Sequence, residues 1–552
     1  MKYLLPLTLA VLLFPVSRLA TAQQTTAPVK PNILFFFADD WGRYASIYAD
    51  SQQPSINDIV KTPNIDRIGR EGVVFTNAFV QVSSCTPSRA SLVTGRYFWN
   101  CGSQAFLHAR GGGSDWSAHT NPFSTMTKFP DLLRENGYYV RRSQKTIDFT
   151  QSPAGPRELD EPLVKYQRYG QYVSEAASER EQTERAAEVL NHPRAEMRRV
   201  LRGRQPGQPF FFIYGTINVH RPYRADSGQK LWGIQPETLQ GRLPKFLPDV
   251  HDVRRDLADY LGEVQAADAM LGVMLEELEA AGELDRTLII LSGDNGMPGV
   301  PRGKTNCYDL SVRAPLLVRW PAAIPAGRRV SDFVSLMDVG PTLLEVAGQS
   351  VPAEMNGRSF RQQLTSTQSG WIDPQRNWVV LGRERHVDGA RVGNIPYPMR
   401  ALRTREHLYI RNFKPDRWPM GDPDNIDLYA DWDDSERHQK GPYRDIDESL
   451  TKAWLINHRS QAGVLETIEL TLNKRPAEEL YDIQADPDQL HNLAADPNYA
   501  PTKADLAERL KHIMTQSQDP RLTDAFDHLP YVSTAPPTKN AGRKSKASEP
   551  TE

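Results

Sequence analysis

The segment SSCTPSRASLVTG, residues 83–95, places a cysteine close to a proline and an arginine. Pro87 can occupy the first turn of a helix, where its missing N–H costs nothing. We therefore predict a short helix that ends at Gly95, with Cys85 just before its N-terminus. A helix N-terminus attracts anions, and Arg89, about one turn further on, could face the same space. The alternative is a small cysteine buried in the core.

Two pairs of polar residues follow apolar runs that are typical of buried strands. Asp39 and Asp40 end the run NILFFFADD, and Asp294 and Asn295 follow RTLIILS. Three carboxylates and an amide oxygen at one edge of a sheet would suit Ca²⁺ or Mg²⁺. Taken singly, each pair could equally form a turn or a helix cap.

The elements that must position these residues alternate between strand and helix. Runs such as NILFFFA, PFFFIYGT and RTLIILSG predict buried strands, and residues 256–284 predict a long amphipathic helix. This order predicts a mostly parallel sheet with helices on both faces, with ligands beyond the carboxyl ends of its strands. After about residue 371, NWVVLGRE and PMRALRTREHLYIRNF predict a smaller antiparallel sheet with a hairpin near Arg405. ELYDIQADPDQLHNLAADP predicts a turn-rich connector, and KADLAERLKHIMTQS a terminal helix.

The bulk composition is that of a globular protein. Of 552 residues, 39% are hydrophobic and 24% are charged, and Lys+Arg 66 against Asp+Glu 68 gives a net charge of −2. This balance argues against a nucleic-acid-binding protein or one held electrostatically on a membrane. It does not exclude an anionic substrate.

The first residues resemble a secretory signal. Lys2 precedes an apolar run too short to span a bilayer, and Ala20-Thr21-Ala22 forms a cleavage site. We predict a signal peptide at 1–22, a catalytic α/β domain at 23–372, a smaller α+β domain at 373–532 and a disordered tail at 533–552. The mature protein is expected to be periplasmic or secreted, without a membrane span.

Export makes the three cysteines informative, because an odd number cannot all pair. If Cys85 has another purpose, Cys101 and Cys307 could form a disulfide or could both be buried and free.

Together these segments resemble the type I sulfatases, in which the motif Cys-x-Pro-x-Arg directs oxidation of the cysteine to Cα-formylglycine. PNILFFFADDWG, SGDNG, GKTNCYD and the closing ELYDIQADPDQLHNLA are all similar to segments of that family. VHRPY and YPMRALRT are most similar to its heparan N-sulfatase (sulfamidase) branch and to bacterial polysaccharide sulfatases. The resemblance implies an alkaline-phosphatase-like α/β fold: a large mixed sheet flanked by helices, with a smaller C-terminal antiparallel sheet domain.

The resemblance also implies a set of site residues. Ca²⁺, or Mg²⁺ in its place, would be bound by the polar pairs with residue 85 completing the site: Asp39, Asp40, Asp294, Asn295 and Cys85. The catalytic residues would be Cys85 as formylglycine, Arg89 holding its hydroxyl, Lys145 and Lys304 on the sulfate oxygens, and His220 protonating the leaving group. A hydrated aldehyde has one oxygen to attack sulfur and another through which sulfate is released.

One departure concerns the first lysine. The family has Gly before this lysine and His two residues after it, whereas this chain has Gln144 and Ile147. His108 and His119 are candidates to replace the missing histidine. The stretch VRRSQKTID is also unusually polar for a strand, which makes Lys145 the weakest of these assignments.

Substrate recognition is assigned to loops and the smaller domain. The expected substrate-binding residues are His108, Arg110, Arg385, His386 and Arg400, since guanidinium groups pair with sulfate and carboxylate. A solvated basic face is the alternative.

The sequence thus predicts a sulfatase that hydrolyses sulfate esters or N-sulfate on a sulfated oligo- or polysaccharide, after maturation by a formylglycine-generating enzyme. Two alternatives stay open: a phosphodiesterase or phosphonate hydrolase of the same superfamily, and a non-catalytic sulfated-glycan-binding relative, the latter suggested by Ile147.

Overall fold

The computed structural model describes residues 30–106, 122–146, 168–424, 426 and 441–528. Several predictions fall outside these ranges, namely the signal peptide, the tail from 533, and the residues His108, Arg110, His119 and Ile147.

The described strands form three sheets. In chain order they are β1 Asn32–Ala38, β2 Val73–Phe75, β3 Ala78–Phe79, β4 Tyr139–Gln144, β5 Phe210–Gly215, β6 Thr287–Gly293, β7 Leu316–Arg319, β8 Arg328–Val330, β9 Val334–Ser335, β10 Trp378–Arg383, β11 Met399–Thr404, β12 His407–Asn412 and β13 Glu478–Asp482.

The described α-helices surround these sheets. They are α1 Pro63–Arg70, α2 Cys85–Thr94, α3 Phe129–Glu135, α4 Tyr169–Ser174, α5 Glu179–Gly203, α6 Ser227–Trp232, α7 His251–Ala280, α8 Asp309–Val312, α9 Val339–Val346, α10 Arg361–Thr365, α11 Leu450–Asn457, α12 Ala462–Thr471 and α13 Ala500–Gln516.

The large sheet has seven strands in the order β4-β5-β1-β6-β7-β2-β8. The interior strand β1 is buried on both faces: Ile33, Phe35 and Phe37 belong to one hydrophobic cluster, and Leu34, Phe36 and Ala38 belong to another. The first cluster includes residues of α2, α3 and α9, and the second includes residues of α1, α5 and α7. The prediction of a sheet with helices on both faces is therefore confirmed.

The sheet is mixed but mostly parallel, as predicted: among its described strands only β7 runs against the others, and β8 is parallel to β2. Strands β4, β5, β1 and β6 are parallel, whereas β7 pairs antiparallel with both β6 and β2. After β6 the chain stays at the carboxyl edge through the segment that carries Lys304 and α8, and so β7 starts at that edge and runs back. A parallel strand would have needed a crossover to the opposite edge.

The smaller sheet is antiparallel, in the order β10-β11-β12-β13, and the hairpin between β11 and β12 lies where it was predicted. The predicted connector at ELYDIQ was wrong, because Glu478–Asp482 forms the edge strand β13. Its Leu480 and Tyr481 are buried on opposite faces, against α13 and the main core respectively. The two apolar residues are adjacent and flanked by acids, so the sequence EELYD shows no apolar/polar alternation that would have predicted this strand.

Helix α7 holds several neighbouring elements in place through buried carboxylates. Asp268 accepts a hydrogen bond from the Ile65 amide in the first turns of α1, and Asp259 accepts one from the Gly228 amide in α6. Because the first amides of a helix have no partner within it, these carboxylates cap both helices. One turn earlier, Asp256 pairs with Arg221.

Cys85, Cys101 and Cys307 are all buried and free. The sequence left open whether Cys101 and Cys307 form a disulfide, and in the structure they do not. Among the described residues there is no helix long and apolar enough to cross a membrane.

Candidate active site

Four adjacent parallel strands deliver the polar residues to one edge of the large sheet. Lys145 follows β4, the segment with His220 follows β5, Asp39 and Asp40 follow β1, and Asp294 follows β6. The strands lie side by side in the order β4-β5-β1-β6, so these side chains meet although they are far apart in sequence. This is the edge at which α/β sheets bind ligands.

Cys85 is the first residue of α2 rather than the one before it, and Gly95 ends the helix with φ 63°. Its Sγ lies 3.8 Å from Asp40 Oδ1 and 3.6 Å from Asn295 Oδ1. Burial raises the pKa of this thiol well above its ordinary value. The unmodified cysteine is therefore a neutral thiol and a poor nucleophile.

Arg89 lies one turn into α2 and is fully engaged with the acidic residues. Its Nη2 is 3.0 Å from Asp39 Oδ1 and 2.7 Å from Asp294 Oδ2, and its Nη1 donates to the Lys145 carbonyl at 2.6 Å. Burial raises the pKa of the Asp39 carboxyl, but the charges of Lys145, His220 and Arg89 outweigh it and hold this pKa well below the usual value. Burial raises the pKa of Asp294 to about 7.

Lys145 reaches the site from an edge strand. Its Nζ is 2.5 Å from Asp39 Oδ2. Among the described strands, β4 pairs only with β5, which explains why VRRSQ can be polar and still form a strand. Gln144, where the family has glycine, adopts φ 63°, a left-handed conformation that glycine adopts without strain.

Lys304 approaches from the other side. Its Nζ is 2.9 Å from Asp40 Oδ2 and 3.3 Å from Asp447 Oδ2. Burial lowers the pKa of this ammonium, but the two carboxylates outweigh it and raise the pKa well above the ordinary value. The next residue, Thr305, has φ 79° and donates its amide to the Ser83 carbonyl at 2.9 Å, which ties the lysine segment to the start of α2.

His220 completes the group around Asp40. Its Nδ1 is 2.5 Å from the Arg221 carbonyl, which can only accept a hydrogen bond, and its Nε2 lies 3.8 Å from Asp40 Oδ2. Nε2 is therefore the ring atom available for proton exchange with a substrate. Burial lowers the pKa of His220 below its ordinary value. The preceding Val219 has φ 101°, an unusual conformation for a β-branched residue and one that is often found at functional sites.

The His220 segment is anchored by Arg221. Its two terminal nitrogens bind the Asp256 carboxylate at 2.7 and 2.8 Å, and its Nε donates to the Pro298 carbonyl at 3.0 Å. A lysine cannot reproduce this planar fork. Arg221 thus acts as a positioning residue for His220.

We expect Arg221→Lys to lower kcat by about 10- to 100-fold, because His220 is displaced, while KM changes less. The matched control is Arg224→Lys, which changes an exposed arginine of the same segment. Steady-state kinetics on an aryl sulfate and thermal unfolding of both variants would test this. An unchanged kcat, or a loss explained by unfolding at the assay temperature, would contradict the positioning role.

Asp447 is a site residue that the sequence analysis missed. It follows β12 in the chain, forms the ion pair with Lys304, and interacts electrostatically with both His220 and His386. Burial raises the pKa of its carboxyl, but the charge of Lys304 and the two histidines outweighs it, so that the pKa lies below the usual range. No sequence motif identifies Asp447 as a site residue. Its only sequence signal is that it is an acidic residue in the segment RDIDES.

The predicted substrate-binding residues lie in different environments in the structure. His386 lies beside the nucleophile position, with its Nδ1 2.9 Å from Ser84 Oγ, and burial lowers its pKa to about 3. Arg385 is buried, with a 3.0 Å ion pair to Asp388. Arg400 requires a correction: it is fully buried and binds Glu384 and Asp519 at 2.8 and 2.6 Å. Its face of β11 points into the protein, so its guanidinium supports the smaller domain and does not contact a sugar.

The residues present fit a bound divalent cation. Ligand atoms of Asp39, Asp40, Cys85 and His220 lie within 4.8 Å of one another, and Asp294 and Asn295 adjoin them through contacts with Asp40. The carboxylate and amide oxygens are hard ligands that suit Ca²⁺ or Mg²⁺. The soft thiol of Cys85 does not match this set, whereas an oxygen at position 85 would.

Comparison with known proteins identifies the family. The sulfatase family model matches residues 31–349, more than half of the chain. The chain therefore belongs to the sulfatase family, and it is a sulfuric ester hydrolase. An ulvan-active sulfatase of Formosa agariphila is 24% identical over 540 residues, which cover 90% of this chain and 77% of the relative. The human N-sulphoglucosamine sulphohydrolase is 28% identical over 524 residues, which cover 89% of this chain and 91% of the relative.

Solved structures share the fold. A protein in complex with its substrate D-glucosamine-2-N,6-O-disulfate matches with a TM-score of 0.55 at 18% identity, covering 89% of this chain and 98% of that one. A phosphonate monoester hydrolase of Agrobacterium radiobacter matches with a TM-score of 0.53 at 19% identity, covering 89% and 97%. The predicted fold, a large mixed sheet flanked by helices with a small antiparallel sheet, is confirmed.

Proposed function

We propose that this sulfatase hydrolyses sulfate esters or N-sulfate on a sulfated carbohydrate, with Cys85 converted to Cα-formylglycine and a Ca²⁺ ion beside it. The observation that carries the proposal is the placement of Cys85, whose Sγ lies within 4 Å of Asp40 and Asn295 at the start of α2. The printed names of the relatives, which include an ulvan-active sulfatase and an N-sulphoglucosamine sulphohydrolase, support a sulfated carbohydrate as the substrate.

The proposed cation ligands are Asp39, Asp40, Asp294 and Asn295 together with the oxygen at position 85. When both groups are in place, the aldehyde hydrate supplies the nucleophilic oxygen and the cation stabilises its ionised form. Arg89 pairs with both Asp39 and Asp294, which orients the two carboxylates, and its charge helps to keep Asp39 ionised.

The remaining charged side chains bind and polarise the sulfate. Lys145 and Lys304 reach the acidic centre from opposite sides, through Asp39 and Asp40 respectively, and their ammonium groups can bind separate sulfate oxygens. Negative charge develops on these oxygens and on the leaving group, and fixed cations stabilise it. His220 presents Nε2 on the same side and is proposed to give a proton to the departing sugar oxygen or nitrogen.

The protein's location and its domain limits follow the sequence analysis. We propose that the chain is exported after removal of residues 1–22 and that a formylglycine-generating enzyme modifies it. We also propose a boundary between the domains near residue 372, although the two share one hydrophobic cluster that contains both Phe35 and Leu381.

The test is a hydrolysis panel with protein produced alongside a maturing enzyme. We expect release of sulfate from at least one of N-sulfoglucosamine, N-acetylglucosamine 6-sulfate and ulvan oligosaccharides, at a kcat/KM well above that for an aryl phosphodiester. Protein produced without the maturing enzyme is the control. Faster hydrolysis of the phosphodiester would favour a phosphodiesterase or phosphonate hydrolase, a class with the same fold. Binding of sulfated sugars without turnover would favour the glycan-binding alternative.

A further inference from the structure

Asp447 lies at the site, yet neither the proposed cation ligands nor the sulfate-binding groups include it. We propose that Asp447 accepts a hydrogen bond from the sugar that carries the sulfate, and so selects substrates with a hydroxyl or N–H donor beside the sulfated atom. This inference rests on the proposed function and extends it to the leaving-group side of the site.

The segment that carries Asp447 is held on both sides. Two residues before it, buried Asp445 binds the guanidinium groups of Arg383 and Arg391, the latter at 2.6 Å. Two residues after it, Ser449 Oγ donates to the Gly299 carbonyl. Because these anchors lie only two residues away on either side, the backbone at Asp447 has little freedom to move. A residue that recognises a substrate requires such a fixed position.

The anchor at Asp445 also connects the Asp447 segment to the residues around position 85. Asp445 Oδ1 accepts the Val387 amide at 3.1 Å, and the adjacent His386 contacts Ser84 at 2.9 Å. Asp447 therefore belongs to the assembly around position 85, although it is distant from it in sequence.

The carboxylate of Asp447 has one oxygen buried beside Lys304, while the side chain as a whole is partly exposed. Its side chain is 23% exposed, and its Oδ2 lies 3.3 Å from Lys304 Nζ. Apart from this ion pair, that buried oxygen has no hydrogen-bond partner among the described residues. The Lys304 ammonium thus contacts both Asp40, a proposed cation ligand, and Asp447, which is not one.

The chemistry of a carboxylate determines what it can bind there. An ionised carboxylate only accepts hydrogen bonds, and a sulfate group offers only acceptors and negative charge, so the two repel each other. The part of the substrate that meets Asp447 must therefore be a donor, which on a sugar means a hydroxyl or an N–H group. Because Lys304 binds the sulfate next to it, that donor lies beside the sulfated position.

The experiment compares Asp447→Ala with Glu448→Ala. The control removes the same charge one residue along, from a carboxylate that pairs with Lys452 rather than Lys304. Two substrates are used: the monosaccharide sulfate that the wild-type enzyme hydrolyses fastest in the panel, and 4-nitrophenyl sulfate, whose leaving group has no hydroxyl or N–H. Inhibition by inorganic sulfate is measured in parallel.

We expect Asp447→Ala to lower kcat/KM for the sugar sulfate by about 10- to 100-fold, as removal of a buried acceptor does, and to change that for 4-nitrophenyl sulfate by less than about 3-fold. Inhibition by inorganic sulfate should be unchanged or stronger, because a repelling charge is gone. Glu448→Ala should resemble the wild type in all three measurements.

Two results would overturn the inference. An equal loss on both substrates with weaker inhibition by sulfate would mean that Asp447 only positions Lys304. No loss on either would mean that it has no role. In both cases the wild-type enzyme still hydrolyses sugar sulfates and the proposed function stands, whereas a wild-type enzyme inactive on every sulfate would refute the proposed function itself.

Discussion

Replacing Cys85 by serine is expected to abolish turnover, with a loss of at least about 1,000-fold, when the protein is produced in a host that matures only cysteine-type sulfatases. A serine there has one oxygen and no route to the aldehyde. It could at most accept the sulfuryl group once and would have no second oxygen with which to release it.

The fold should survive this change. The polar contacts of Cys85 Sγ with described residues are long, at 3.6 and 3.8 Å, and serine is slightly smaller and can hydrogen-bond to the same oxygens. The matched control is Cys101→Ser, the same change at a buried free cysteine that contacts Thr94 and Tyr97 instead of the acidic centre. Sulfate release and thermal unfolding would be measured for both variants. Full activity of Cys85→Ser would refute the assignment of the nucleophile.

The second large effect is expected at Asp294. We expect Asp294→Asn to lose bound calcium and activity together, with activity falling by about 100-fold or more, since the cation-stabilised nucleophile is lost. Asparagine keeps the shape, and its Oδ1 can still accept the Asp40 amide, which Asp294 now accepts at 2.8 Å. The lost charge, however, leaves Arg89 paired with Asp39 alone and removes one anionic ligand.

The measurements are elemental analysis of calcium after gel filtration, and turnover with and without added calcium. Asp332→Asn is a suitable control, because Asp332 is equally buried but binds the Ile372 and Asp373 amides away from the site. An unchanged calcium content in Asp294→Asn would remove this residue from the cation site.

The cluster of polar residues Asp39, Asp40, Asp294 and Asn295 could be predicted because each pair directly follows a strand. The runs before Asp39 and Asp294 are mostly apolar, as strands that are buried at every position require. Neighbouring parallel strands then bring their carboxyl ends together. The position of Cys85 followed similarly, from Pro87 in the first turn of α2 and Gly95 at its end.

Other parts depended on tertiary context that local patterns do not contain. Lys145 follows a strand whose polar sequence is tolerated only because β4 lies at the sheet edge. Arg400 has the residue type of a sulfate-binding group, but two distant acids, Glu384 and Asp519, neutralise it in the interior. Asp447 reaches Lys304 through the anchors of Asp445, which join segments far apart in the chain.

The most direct test of the account is the mass of the tryptic peptide 71–89, EGVVFTNAFVQVSSCTPSR, from protein produced with a maturing enzyme. We predict a mass about 18 Da below that of the unalkylated cysteine form, because conversion of the thiol to an aldehyde exchanges sulfur for oxygen with loss of two hydrogens. An unmodified cysteine in protein that nevertheless hydrolyses sulfated sugars would contradict the account, since residue 85 would then act without formylglycine.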